Sequence, residues 1–140
     1  MTVIIDANIV FSIIINPGSR FGDYFLTNPD NLLFVSPNYL RKEIFKHQYK
    51  ILKITGYKEE FYNELLNLLY SRILFYSLEV IPDFIWNHAT ALMDDNDEKD
   101  IPYLAFALFF GGKIWTGDKA FCKKLSEKGL DLCFSPAKII

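Results

Sequence analysis

Cysteine is scarce in this chain, an excess of cations is absent, and no apolar run reaches membrane length. The two cysteines, Cys122 and Cys133, among 140 residues exclude a dense disulfide framework and a zinc finger, and make a reducing cytoplasm the expected compartment. Lys and Arg number 15 against 17 Asp and Glu, for a formal net charge of -2. That excludes a protein that grips duplex DNA by bulk positive charge. It leaves open a nucleic-acid enzyme whose positive charge arrives as metal ions. The longest apolar stretch, residues 3–15, is interrupted by Asp6, Asn8 and Ser12. It falls short of the roughly 20 apolar residues of a spanning helix, so no membrane span is expected. The N-terminal segment lacks the basic start and small-residue cleavage site of a secretory signal and is read as part of the mature fold. A Walker-type phosphate loop, a dinucleotide glycine fingerprint and a nucleophile elbow are also missing. His47 and His88 are solitary and read as structural.

What is present describes one globular domain over residues 1–140. Hydrophobic residues make up 51%, charged residues 23% and aromatics 16%, enough for a core without staples. The aromatic excess also suits a partner surface. Short apolar runs predict strands at residues 3–5, 32–35, 78–81, 114–116 and 132–134. Helical patterns fall between them. One follows Asp6 directly, one is capped by Ser19, and one starts at Ser36-Pro37 and carries Leu40, Glu43 and Ile44. An amphipathic helix over residues 57–70 places Phe61, Leu65, Leu68 and Leu69 on one face. Further helices start at Pro82, near Pro102 and at Lys119. Strands alternating with helices predict an α/β fold, three layers α/β/α, with a central, mostly parallel sheet of about five strands. In such sheets ligands bind at the carboxyl ends of the strands, where residues distant in sequence meet.

Four acids stand out against that frame. Asp6 ends an apolar strand and opens an apolar helix; it is either a helix N-cap or a functional carboxylate. Asn8 is a supporting donor or a plain turn residue. Asp118 repeats the pattern after the strand at 114–116, and alone it too reads as a cap. Two strand-ending acids in one parallel sheet point to the same edge, where their charges repel unless a cation lies between them. Asp94, Asp95, Asp97, Glu98 and Asp100 form an acidic run. Most of it reads as a solvated loop, but Asp100 directly precedes the most apolar helix. An EF-hand fails, because its sixth position lacks Gly and its twelfth lacks Glu. Glu43, beside Arg41, Lys42 and Lys46, reads by itself as a surface acid. Lys119, Lys123, Lys124 and Lys128 form a basic stripe that meets phosphates or simply solvates its helix.

Taken together, "VIIDANIV", "YLRKEIF", "DEKDIPYLAFAL" and "IWTGDKAF", in that order and spacing, resemble the PIN domain, a small metal-dependent ribonuclease fold used by VapC-type toxins and RNA-processing nucleases. The resemblance covers nearly the whole chain; its departures, Asn8 in the first motif and Pro102 at the helix start of the third, are mild and remove no acid. It implies that Asp6, Glu43, Asp100 and Asp118 are catalytic. Asp6, Asp100 and Asp118 would be ligands of Mg²⁺ or Mn²⁺, and Asn8, Asp97 and Thr116 would support them or touch substrate. It further implies a cytoplasmic endoribonuclease cutting single-stranded RNA, the toxin of a toxin-antitoxin pair with an antitoxin protein as partner, and a homodimer. Phe11, Phe21 and Tyr39 are candidates to stack bases. The alternatives are a non-catalytic PIN-like module that binds RNA or protein, and a phosphoryl-accepting signalling domain. The latter wants two adjacent acids after the first strand, where this chain has Asp6-Ala7.

Overall fold

The structure, a computed structural model, describes residues 1–93 and 95–136, and of residues 95–97 only the backbone. The expected acids Asp94 and Asp97 therefore lie outside the described side chains.

Four parallel strands form the sheet: β1 (Thr2–Ile5), β2 (Leu33–Pro37), β3 (Ile73–Tyr76) and β4 (Lys113–Trp115), in the order β3-β2-β1-β4. The chain builds outward from β1 through β2 to β3. It then returns to β4 on the other side of β1. The reversal puts a topological switch point between β1 and β4, where open parallel sheets form their crevice. In register, Ile5 pairs with Trp115, so the two strands end side by side.

β-branched and aromatic residues alternate across this sheet as two buried faces require. Val3, Ile5, Phe34 and Trp115 face one core with α1 (Ala7–Ile15), α2 (Arg20–Thr27), α3 (Tyr39–Lys46), α4 (Gln48–Thr55) and α5 (Glu59–Tyr70). Ile4, Val35 and Ile114 face the other with α6 (Asp83–Leu92), α7 (Ile101–Phe110) and α8 (Lys119–Glu127). The three layers are those the sequence predicts. Residues Tyr103 to Ala107 of α7 are all buried, as its all-round apolar pattern requires. Gly112 follows that helix because a Cβ there would stand 2.5 Å from the Thr2 carbonyl oxygen.

Several expectations need correction. The third strand is Ile73–Tyr76; residues Leu78–Val80 form a 3₁₀ turn instead. The Ser77 hydroxyl accepts from the Glu79 N–H at 3.2 Å, which turns the chain where an extended run was expected. The fifth strand is reduced to one parallel bridge, Ile114 to Cys133, so the sheet has four strands and not five. β2 continues through Ser36 and Pro37, and the helix begins only at Tyr39. Pro37 is tolerated because the pairing of β2 with β1 ends at Val35, so no ladder needs its missing N–H on that side. On α5 the buried positions are Tyr62, Leu65 and Leu69, while Phe61 and Leu68 face solvent. Cys122 and Cys133, to which no partner was assigned from sequence, form a disulfide that ties α8 to the segment bridging β4.

Candidate active site

The site begins at the end of β1. Asp6 leaves the strand in extended conformation and caps α1, its Oδ1 accepting from the Ala7 N–H at 2.6 Å. Its Oδ2 accepts from the Thr116 hydroxyl at 2.7 Å and from the Asn8 amide at 3.2 Å. Asn8 also donates to Thr116 Oγ1 at 3.1 Å and accepts from the Gly117 N–H at 3.0 Å. Asn8 thus ties the ends of β1 and β4 together. Asp118 follows; its backbone N–H donates to Thr116 Oγ1 and its Oδ1 caps α8 through the Phe121 N–H at 3.0 Å.

Both strand-ending acids are therefore caps, and caps that share a site. A cavity of about 520 Å³ opens over these strand ends, and Asp6, Glu43, Asp100 and Asp118 all line it. Each comes from a different segment: Asp6 from the end of β1, Glu43 from α3, Asp100 from the entry to α7, Asp118 from the turn after β4. Asp100 is 7% exposed, one of the two buried polar side chains among the described residues. The other, Ser36, donates to the Ile5 carbonyl at 3.3 Å and anchors β2 to the last residue of β1.

The electrostatics carry the mark of gathered acids. Burial holds the Asp6 carboxyl above its ordinary range, and the Asp118 charge adds to the rise. Hydrogen bonds from Thr116 and Ala7, and the Lys99 cation, pull the other way. The Tyr39 hydroxyl is raised above the phenol range, first by burial, with the charges of Asp6, Glu43 and Asp100 adding. Tyr103 is raised likewise, chiefly by burial. Both shifts favour the protonated phenol. Tyr39 donates to the Lys99 carbonyl at 3.2 Å.

The donor set fits a hard divalent cation in kind: one buried and three half-buried carboxylates, with a lysine at the rim. As the side chains stand, no three acidic, His or Cys groups among the described residues are close enough to hold an ion together. Two of the four acids already use an oxygen on a helix cap.

Tyr103, Lys99 and Pro102 line the cavity but were not singled out as site residues. A signal existed: Tyr103 follows Asp100 by three residues and so shares its face of α7. Of the candidate stacking rings, Phe11 and Tyr39 line the cavity, whereas Phe21 packs edge-on against Trp115 at 5.7 Å. The Lys119 to Lys128 stripe lies along α8.

Four carboxylates thus line one cavity at the switch point of a parallel α/β sheet, the place where such sheets bind ligands. A model of the PIN domain matches residues 4–132. The chain belongs to the PIN domain family. No curated protein matches it.

Proposed function

We propose that the chain is a metal-dependent endoribonuclease that cuts single-stranded RNA. The family is generally nuclease-like. The observation that carries the finer reading is that four acids from four separate segments line one cavity at the switch point of the sheet. Asp6, Asp100 and Asp118 would hold Mg²⁺ or Mn²⁺, and Glu43 would be a further ligand or would orient the attacking water. When bound, the ion supplies Lewis acidity and positive charge at the scissile phosphodiester. The chain's own residues do the rest. Asn8 and Thr116 fix the orientation of Asp6 and the turn that carries Asp118. Tyr39 and Tyr103 remain protonated and wall one side of the cavity. Lys99 offers a cation at the rim to an anionic strand. Asp97 would assist Asp100, as the resemblance implies.

The toxin role, an antitoxin partner and a homodimer belong to the same proposal, as does a cytoplasmic location, in which Cys122 and Cys133 would stand mainly as thiols. Among the described residues no helix is long and apolar enough to cross a membrane. A labelled single-stranded RNA incubated with Mn²⁺ is expected to be cut by the wild type. Asp100→Asn or excess chelator should lower the rate by 10²-fold or more, about 2.7 kcal/mol or more of barrier. A second reading is a PIN module that binds RNA or protein without cutting; two of the four acids spend an oxygen on a helix cap. RNA binding with no metal-dependent cleavage would establish it in place of the first.

A further inference from the structure

We infer that the outer face of α3 and α4 is a track along which a single-stranded RNA is led to the acidic cavity; this extends the nuclease reading and takes the identity of the strand from it. Residues 38–58 hold six of the chain's 15 cations and a single acid, Glu43. The two helices bury Leu40, Ile44 and Ile51 at helical spacing. The opposite face presents Lys42, Phe45, Lys46, Tyr49, Lys50 and Lys53, all exposed. Phe45 is 72% exposed and Tyr49 82%, the two most exposed large hydrophobics of the described chain. Among the described residues, neither ring has an aromatic partner and none of these lysines is in an ion pair.

This face adjoins the cavity. Glu43, which lines it, sits on α3 between Lys42 and Lys46. His47, the single residue joining the two helices, meets the ring of Phe11 edge-on at 5.5 Å, and Phe11 lines the cavity as well.

The chemistry selects the occupant. Aromatic rings interleaved with lysines, on a chain of net charge -2, match a polyanion with stackable faces, since rings take bases and ammonium groups take phosphates. A second copy on this face would set lysines against lysines. A protein partner docking by apolar contact would meet each ring flanked by cations. The lysines of α8 have no exposed aromatic among them, Phe121 being buried, and make the natural comparison.

Binding of a fluorescent 2′-O-methyl oligonucleotide, which resists cleavage, in chelator separates this inference from catalysis. Phe45→Ala with Tyr49→Ala is expected to weaken binding about tenfold or more. Lys46→Gln with Lys50→Gln should reduce the slope of log affinity against log salt by about 1.4. Lys123→Gln with Lys128→Gln should change affinity less than twofold. All these positions are exposed except in the folded helix backbone, so circular dichroism verifies folding directly. Wild-type affinity in the α3–α4 variants, losses no greater than in the α8 pair, or no RNA binding by the wild type would each overturn the track. If the wild type cuts RNA while the track variants bind it equally well, the track falls and the nuclease stands. If the wild type binds through these residues and never cuts, the nuclease falls and the track stands.

Discussion

Asp6 concentrates the conflict on which the site is built. It caps α1, accepts from Thr116 and Asn8, and sits buried near Asp118. Its carboxyl is raised, burial being the main cause, so the folded chain binds that proton more tightly than the unfolded chain does. The sign of the linkage follows. Ionised Asp6 costs stability at neutral pH, and the cost is relieved as pH falls toward and below the folded-state value. In chelator, the unfolding temperature of the wild type should therefore rise on mild acidification relative to that of Asp6→Asn, which cannot titrate there. A divalent ion competes with the proton, so Mg²⁺ should flatten the difference. Thermal melts from neutral pH down to the ordinary carboxylate range, with and without Mg²⁺, check this. Parallel wild-type and Asp6→Asn curves in chelator would contradict it.

At the scale of elements, two tight junctions tie helices to the sheet. The first is the close approach of the turn after α7 to the amino end of β1 at Gly112, where a Cβ would press on the Thr2 carbonyl. Gly112→Ala should lower stability by about 1–3 kcal/mol through overpacking against backbone that cannot yield. Denaturant unfolding measures it, and a loss under half a kcal/mol would mean that the junction relaxes. The second is the disulfide between Cys122 of α8 and Cys133, 11 residues apart in sequence. A cross-link of that span limits the unfolded chain by about 3 kcal/mol in the loop-entropy picture. Reductant should lower the unfolding temperature by several degrees, and Cys122→Ser with Cys133→Ser should lose that sensitivity.

On the scale of the molecule, the fold is held by two apolar cores, one on each face of the sheet. Chelation should leave the far-ultraviolet circular dichroism unchanged. Adding Mg²⁺ at about a hundred times its dissociation constant should stabilise the wild type by about 2.7 kcal/mol, and Asp118→Asn should blunt that gain. Unfolding in chelator would show that the cation is structural.

Periodicity in the sequence determined the α/β layering, the helix after Asp6, the buried α7 and the strand-ending positions of Asp6 and Asp118, because burial on both faces of a parallel sheet leaves unbroken apolar runs that stop where the chain meets solvent. It misplaced the third strand because residues 78–81, despite Glu79, also read as a short apolar run; pairing with β2 and the Ser77 turn set Ile73–Tyr76 apart. Glu43 is indistinguishable from a surface acid within its own helix; only its placement over the ends of β1 and β4 makes it part of the cavity. Tyr103 and the Asn8 clasp likewise depend on contacts across 60 to 110 positions of chain. Local pattern records which face of an element is buried. What lies opposite that face is decided by strand order, and strand order exists only once the chain has folded.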